Sequence, residues 1–484
     1  MLKSGLLILS GNAATALLTL ARNLLVARLI SVEDFGIAAT FAISLALVEM
    51  MSALGMQQQI VQSKDGNDPR LQSALQGFQV LRAATNSVVL FLLARPIAQF
   101  LGVPQVTWAY QVIAVVPLLN GLIHFDVYRM NRQMKYLPAV LTTAVPALIS
   151  VLAIWPLHLL YGDYRVMLYA VLIQGVLAVA MSHLVAERRY ALVFDRAIMA
   201  NSLRFGWPLL INGILLFVVF NGEKLIVGRE LGMAMLAIFA MGFTLTLTPT
   251  LVMAKSVQSF FLPQLSAAKE DAAAFAHLAM ATLQASLLNG AAMVVAVVLI
   301  GAPLVHVLLG PKYEGLLPFL TWLAILQALR VFKSGGAVVA LARAKTENAM
   351  VANLFRVLSL PLSWYVAATS GDLMLVIWIA AAGEVCGYGA SLLLLRYRPG
   401  LSLRRMVWPN LVMLALLGAA AAHAALAAMP VSVAGAPAAG MSPDWMTPER
   451  WAAAAVVGLF GLLGFVTVDF RRYVVRRSIT RYTD

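Results

Sequence analysis

The sequence predicts an all-α polytopic membrane protein with about 14 transmembrane helices, arranged as two six-helix lobes related by a parallel repeat plus two extra C-terminal helices. Three observations support this prediction. Long apolar stretches fill almost the whole chain, basic residues gather at alternate ends of those stretches, and one sequence pattern recurs after 201 residues. Hydrophobic residues make up 61% of the 484-residue chain, a composition that argues against an ordinary soluble enzyme.

The apolar stretches have the length of membrane-spanning helices. A helix needs about 20 residues to cross roughly 30 Å of hydrocarbon, and each stretch is near or above that length. In chain order the stretches are residues 5–30, 35–56, 73–100, 106–126, 137–160, 165–186, 205–228, 234–254, 278–302, 316–342, 347–368, 373–395, 406–429 and 451–470.

The distribution of basic residues predicts the orientation of these helices. If the N-terminus is cytoplasmic and the helices alternate, 23 of the 35 Lys and Arg residues fall at cytoplasmic ends and six at periplasmic ends. Such an excess follows the positive-inside rule. We therefore expect a multi-pass protein of a bacterial inner membrane with both termini in the cytoplasm. Its net charge of +14 then faces anionic lipid headgroups, and we expect no nucleic-acid partner.

The chain also contains an internal repeat. The segment RNLLVARLI (22–30) aligns with EKLIVGREL (223–231) without a gap, which brings Arg28 and Arg229 to equivalent helix ends. We interpret these two arginines as repeat-equivalent gate positions. Six helices separate the two copies, so both have the same orientation, as in the parallel repeats of alternating-access transporters.

The repeat and the loops predict five segments. These are an N-terminal six-helix lobe (1–186), a cytoplasmic amphipathic linker (187–204), a C-terminal six-helix lobe (205–395), two additional transmembrane helices (396–470) and a basic cytoplasmic tail (471–484).

We assign nine charged residues to the membrane interior, apart from the charges near the ends of the apolar stretches. Each costs about 2.5–3.5 kcal/mol at mid-bilayer, so these side chains should pair or face a water-filled cavity. The excess of positive charge favours an anionic passenger such as a pyrophosphate, and we predict that the basic residues line its cavity. The basic residues are Arg22, Arg82, Lys224, Arg330, Lys333 and Arg356, and the acids are Glu49, Glu223 and Glu384.

Individual residues of this set allow other interpretations. Arg82 lies near a helix end, from which its side chain can alternatively snorkel to the interface. Lys333 precedes Ser334, Gly335 and Gly336, which could break the tenth helix beside a cavity.

The three acids are candidates for coupling transport to an ion gradient. A desolvated carboxyl group can take up a proton near neutral pH, so H+ or Na+ is the candidate coupling ion for Glu49, Glu223 or Glu384. The alternative is a structural ion pair between each acid and a basic residue on another helix.

The sequence gives no sign of catalysis or of a bound cofactor. It contains no P-loop, no HExxH and no CxxC, and Cys386 is its single cysteine. We predict that the protein is not an enzyme and has no catalytic residues, no metal site and no cofactor.

Five motifs, in this order and spacing, resemble the polysaccharide-transporter branch of the multidrug/oligosaccharidyl-lipid/polysaccharide exporter superfamily. They are LLVARLISVEDFG (24–36), EKLIVGREL (223–231), FFLPQLSAAKED (260–271), APLVHVLLGPKYEG (302–315) and ALARAKTENAMVANL (340–354). The resemblance implies a V-shaped bundle of two six-helix lobes. It also implies a flippase that moves undecaprenyl-pyrophosphate-linked oligosaccharide repeat units from the inner to the outer leaflet for exopolysaccharide, O-antigen or capsule synthesis. Within the first motif, Ser31 and Asp34 predict a capping box for the second helix.

Two other functions compete with this prediction. A multidrug/cation antiporter of the same superfamily would favour acid in its cavity, and a polyprenyl-sugar glycosyltransferase or polymerase would need a larger periplasmic loop. We expect a monomer whose partners are the bilayer and a lipid-linked oligosaccharide. The sequence leaves open the sugar, the coupling ion and whether a polysaccharide polymerase is a partner.

Overall fold

The computed structural model describes residues 2–63, 65–343, 345, 347–397, 401–428 and 447–480, and these residues form helices and connecting turns without a β-strand. The chain forms two compact units, Met1–Ala237 and Ile238–Asp484. Of the predicted C-terminal segments, residues 398–400, 429–446 and 481–484 lie outside the described residues.

The first unit contains ten helices among its described residues. They are α1 (Leu2–Leu29), α2 (Val32–Met50), α3 (Met56–Gln62), α4 (Pro69–Phe100), α5 (Thr107–Ile113), α6 (Val115–Leu122), α7 (Asp126–Arg132), α8 (Leu137–Tyr161), α9 (Arg165–Val185) and α10 (Arg196–Glu230).

The second unit begins within the first turns of α11 and contains the remaining described helices. They are α11 (Met233–Ala267), α12 (Ala272–Leu308), α13 (Leu317–Ala342), α14 (Glu347–Leu358), α15 (Leu360–Ser370), α16 (Leu373–Tyr397), α17 (Val407–Ala427), α18 (Pro448–Val466) and α19 (Val468–Thr480).

Every predicted span lies on helical structure. Eleven helices of the described chain are long and apolar enough to cross a membrane, or twelve if the bent pair Pro104–Leu122 and Asp126–Arg132 is one span. The pair is bent by 47°, so the fourth predicted span is not a straight helix. The two remaining predicted spans, α1 and α2, are helical but are not among the helices that meet this criterion of length and composition. Helix α2 carries two acids in its first turn. The all-α, multi-pass fold class is therefore confirmed.

Helix boundaries follow the offset of the sequence repeat. Helices α1 and α10 end at Leu29 and Glu230, and the next helices begin at Val32 and Met233, so both boundaries differ by 201 residues. The superposition of two whole six-helix lobes stays a prediction.

The Ser31 N-cap of α2, which is one half of the predicted capping box, is confirmed. The Ser31 side chain accepts a hydrogen bond from the Asp34 backbone N–H at 3.0 Å. This bond satisfies one of the backbone N–H groups that a helix start leaves without a partner.

The predicted break in the tenth span is wrong. Helix α13 runs without interruption from Leu317 to Ala342. A Cβ atom at Gly335 would lie 2.4 Å from Ser286 Oγ, and one at Gly336 would lie 2.3 Å from Ser391 Oγ. The two glycines therefore let α12 and α16 approach α13 closely.

The predicted linker contains an extended segment before α10. Residues 186–195 are largely non-helical, and Asp195 then caps α10 by accepting from the backbone N–H groups of Ala197 and Ile198. The extended part is held on the first unit, because Val193 N–H donates to Ser73 O at 3.1 Å. We call residues 186–195 the strap.

Candidate functional site

Three basic side chains of the second unit meet around one carboxylate. Glu384 Oε1 lies 2.8 Å from Arg330 Nε and 3.2 Å from Arg356 Nε, and Glu384 Oε2 lies 2.7 Å from Lys333 Nζ. We call Arg330, Lys333, Arg356 and Glu384 the cationic cluster. All four residues are among the intramembrane charged residues predicted from the sequence, and the structure brings them together.

Helical geometry explains this convergence. Arg330 and Lys333 are three residues apart on α13, so they share one helix face. Arg356 lies in the last turn of α14, and Glu384 lies in the middle of α16. Both helices pack beside α13, which directs side chains from three helices to one point.

The cationic cluster is withdrawn from solvent. Arg356 and Glu384 are 0% exposed, and Arg330 and Lys333 are 8% exposed. Burying a charge is costly unless it is paired and hydrogen-bonded. The ion pairs with Glu384 offset part of that cost for each of the three cations.

Polar and aromatic neighbours extend the cluster. Arg330 donates to Gln327 Oε1 at 3.2 Å and lies 5.1 Å from the centre of the Phe243 ring. Arg356 donates to Ser359 Oγ at 3.1 Å. Gln327 Nε2 is buried and has no hydrogen-bond partner within the described chain. Gln327 thus adds an uncharged donor beside the guanidinium groups.

The cationic cluster has more donors than acceptors and a net positive charge. Its four side chains carry three positive charges and one negative charge. An arginine has five N–H donors and a lysine has three, whereas one carboxylate offers about four acceptor positions. Such a group is suited to an anion with several oxygens, because charge-assisted hydrogen bonds are the strong ones.

The first unit holds a different group of polar side chains. Asn120 on α6 donates to Glu49 Oε1 on α2 at 2.5 Å. Ser52, just after α2, accepts from Arg82 at 3.1 Å and from Asn86 at 2.7 Å, both on α4. We call Glu49, Ser52, Arg82, Asn86 and Asn120 the polar set. Arg82 therefore bonds within its own unit, whether or not its aliphatic part also extends towards an interface.

The other predicted cavity residues also lie in the first unit. Arg22 on α1 donates to Gln174 Oε1 on α9. Glu223 and Lys224 lie on α10, and Glu223 is 1% exposed. The prediction that Arg22 and Lys224 share one cavity with the cationic cluster stays a prediction.

The two repeat-equivalent arginines occupy the last turns of α1 and α10. Both are exposed. Arg229 donates to Phe100 O at 2.7 Å and lies 5.4 Å from the centre of the Phe100 ring. Their role as gate positions stays a prediction.

Sequence reasoning missed a buried ion pair that anchors the strap. Asp126 is 0% exposed and lies 2.5 Å from Arg129 Nε, and it also accepts from the backbone N–H groups of Glu187 and Arg188. The i, i+3 spacing of Asp126 and Arg129 is a visible signal for the pair. The contact with the strap spans about 60 residues and leaves no local sequence pattern.

Glu187 completes the attachment of the strap. Its side chain accepts from Lys135 Nζ at 2.6 Å and from Arg129 at 2.8 Å. These hydrogen bonds hold the pKa of the Glu187 carboxyl below its usual range. The carboxylate form is therefore favoured when the strap is in place.

A second missed group surrounds Asp469 at the start of α19. This carboxylate is 2% exposed and lies 3.0 Å from both His277 Nδ1 and Arg405. The contact fixes the start of the C-terminal basic helix to α12. Its partners lie far away in sequence, so no spacing signal reveals them.

The described helices form a multi-pass, all-α membrane-protein fold that contains buried charged groups. Residues 25–318, more than half of the chain, match the family model described as polysaccharide biosynthesis protein. The chain belongs to this family of polysaccharide biosynthesis proteins.

Similar proteins agree with that assignment. The chain is 24% identical over 308 residues to the succinoglycan biosynthesis transport protein ExoT of Rhizobium meliloti (strain 1021). The matched region covers 62% of this chain and 61% of ExoT. It therefore spans about three-fifths of the length of this relative.

Two solved structures show the fold. The lipid II flippase MurJ in an inward closed conformation has a TM-score of 0.67 at 15% identity and covers 98% of this chain and 100% of its own. An inward-facing MATE family transporter of the MOP superfamily has a TM-score of 0.62 at 16% identity and covers 80% and 94%. These relatives are transporters and flippases rather than enzymes.

Proposed function

We propose that the protein is a flippase that moves polyprenyl-pyrophosphate-linked oligosaccharide repeat units from the inner to the outer leaflet of a bacterial inner membrane, with both termini in the cytoplasm. Alternating access of the passenger to the two sides is the mechanism we infer. The cationic cluster is the observation that carries the proposal, within a family of polysaccharide biosynthesis proteins.

The chemistry of the cationic cluster favours a pyrophosphate. Arg330 and Arg356 have planar guanidinium groups, which can donate two parallel hydrogen bonds to phosphate oxygens. Lys333 adds a point charge, and all three cations converge within 3.2 Å of Glu384 oxygens. Their convergence on two carboxylate oxygens supports a site for clustered anionic oxygen atoms.

Glu384 acts in this proposal as the resident counter-ion. Three cations buried together would repel one another, and the carboxylate keeps them in place while the passenger is absent. A pyrophosphate brings more negative charge than one carboxylate. The cations can therefore transfer hydrogen bonds from Glu384 to the passenger without losing charge compensation.

The sign of the charge argues against a cation antiporter. A site for organic cations would require acidic side chains in excess, whereas basic side chains outnumber the acid three to one in the cationic cluster. The fold is shared with MATE transporters, but a fold alone does not specify the passenger.

We extend the proposal to the energy source and the assembly. H+ or Na+ is the candidate coupling ion, taken up at Glu49, Glu223 or Glu384. The protein acts as a monomer, and a polysaccharide polymerase that consumes the flipped unit is a candidate partner.

Flipping in proteoliposomes with an imposed gradient, for the native protein and the three Glu→Gln variants, tests the coupling. Undiminished gradient dependence in all three variants would contradict it.

A deletion strain tests the function. Loss of the flippase should leave repeat units attached to their lipid carrier in the inner leaflet and should stop export of the polysaccharide. Complementation with Arg356→Gln should fail, because a buried phosphate ligand is lost. The lipid-linked intermediates are measured by mass spectrometry.

Arg396→Gln provides the matched control, because Arg396 is an exposed arginine at the end of α16. This variant should restore export to the native level. A deletion strain that accumulates no lipid-linked oligosaccharide, or an Arg356→Gln protein that exports normally, would contradict the proposed function.

A further inference from the structure

The polar set of the first unit places polar side chains on apolar helices while leaving some of them accessible. Glu49 and Asn120 lie on helices of the apolar region, yet Glu49 is half-buried and Asn120 is exposed. A carboxylate that faces hydrocarbon is costly, so the accessible side of this group must face water or a polar ligand.

The charges of the polar set cancel. Glu49 contributes one negative charge and Arg82 one positive charge, whereas Ser52, Asn86 and Asn120 are neutral. An anion would gain from Arg82 but would be repelled by Glu49, and a cation would have the opposite balance. The polar set therefore favours an uncharged ligand, in contrast to the cationic cluster.

The polar set also has hydrogen-bonding capacity of both kinds. Asn120 uses one N–H on Glu49 at 2.5 Å, and its amide carries a second N–H and a carbonyl oxygen. Arg82 Nε is buried without a hydrogen-bond partner within the described chain. A ligand that both donates and accepts through several hydroxyl groups fits this mixture.

We propose that the polar set binds the hydroxyl groups of the glycan, as a saccharide subsite separate from the one that binds the pyrophosphate. The proposal rests on the proposed function, because the lipid-linked oligosaccharide of that function presents both chemistries. Glu49 accepts from a sugar O–H, and Asn120 donates to and accepts from a neighbouring hydroxyl. Ser52, Asn86 and Arg82 fix the end of α2 and thereby position Glu49.

Equilibrium binding to the purified full-length protein tests the proposal. One probe is the oligosaccharide repeat unit released by hydrolysis from the polysaccharide that the source organism secretes, without lipid or phosphate. The second probe is inorganic pyrophosphate. Asn120→Ala and Glu49→Gln should each weaken oligosaccharide binding by about tenfold and leave pyrophosphate binding unchanged.

The controls separate this proposal from the proposed function. Thr85→Ala removes a polar group of α4 whose hydroxyl bonds to Leu81 O, and it should alter neither affinity. Arg330→Gln should weaken pyrophosphate binding alone. Size-exclusion profiles and thermal unfolding check that each variant is folded.

Two results would overturn the saccharide subsite. One is an oligosaccharide that does not bind the native protein, and the other is unchanged oligosaccharide affinity in both Asn120→Ala and Glu49→Gln. If instead pyrophosphate does not bind while oligosaccharide binding responds as expected, the saccharide subsite stands and the anionic passenger of the proposed function fails.

Discussion

The polar set of the first unit and the cationic cluster of the second unit compensate their buried charges in different ways. In the first, one acid and one base bond mainly to neutral groups, and Asn120 remains exposed. In the second, three cations share one acid, and Arg356 and Glu384 are fully buried. The first group is balanced in charge, and the second has an excess of positive charge.

A count of charges along a membrane sequence therefore does not reveal how those charges are grouped in the structure. The predicted membrane interior contains six bases and three acids, an average excess that describes neither group. The structure groups two of the three excess positive charges in the cationic cluster of the second unit. Two kinds of ligand chemistry, anionic and neutral, are therefore expected in two separate places.

The largest difference should appear when each group loses its acid. Glu384→Gln leaves three buried cations without their shared carboxylate and should reduce stability by about 3–5 kcal/mol. Glu49→Gln, at a half-buried position, should cost less than about 1 kcal/mol. Thermal unfolding of the purified variants in one detergent measures both.

A double variant tests whether repulsion among the cations causes the loss of stability. Adding Lys333→Met to Glu384→Gln removes one of the repelling charges and should recover part of the lost stability. Equal losses for Glu384→Gln and Glu49→Gln would show that the two groups are not electrostatically different.

A smaller effect is expected when the packing that supports the cationic cluster is disturbed. Gly335→Ala places a Cβ 2.4 Å from Ser286 Oγ and should cost about 1–3 kcal/mol by overpacking α13 against α12. Gly389→Ala on α16 is the control, because nothing lies within 4 Å of its added Cβ. Chemical unfolding curves compare the two, and a Gly335→Ala protein as stable as Gly389→Ala would refute the close contact.

Loss of the hydrogen bonds that Ser52 accepts within the polar set should reduce stability less than overpacking at Gly335. Ser52→Ala removes the oxygen that accepts from Arg82 and Asn86 and should cost about 1–2 kcal/mol. Ser256→Ala is the control, since this exposed serine bonds only to Val252 O among the contacts described. If thermal unfolding does not distinguish the two variants, Ser52 does not organise the set.

The smallest effect concerns the strap, which belongs to neither group. Because Lys135 and Arg129 lower the pKa of Glu187, its contribution to stability is present above the usual Glu pKa and is lost as the pH falls through the lowered value. The hydrogen-exchange protection of residues 186–195, taken relative to the intrinsic exchange rate at each pH, should therefore fall at acidic pH. Glu187→Gln should exchange faster already at neutral pH and should lack this pH dependence; an unchanged native pH profile in the variant would contradict the role of Glu187.

Local sequence patterns predicted the helices well. Apolar length located every span, and the Ser31–Asp34 pattern located the start of α2. The ends of α1 and α10 fall at matching positions of the repeat, where both copies carry Leu, Val and Arg at the same spacing.

The sequence could not predict how the charged side chains are grouped. Arg330 and Lys333 share a helix face by spacing alone, but their contact with Glu384 depends on tertiary packing. The same applies to the two glycines of α13. Their pattern favoured a broken helix, whereas close packing against Ser286 and Ser391 explains their small size.

Flipping of a lipid-linked oligosaccharide by the purified protein in proteoliposomes tests the central claim most directly. The passenger is extracted from the deletion strain, and its appearance in the opposite leaflet is measured by access of an added glycosidase. The account predicts transport by the native protein and by Arg396→Gln, and a loss of at least about tenfold for Arg356→Gln. Equal transport by the two arginine variants would contradict a pyrophosphate site at the cationic cluster.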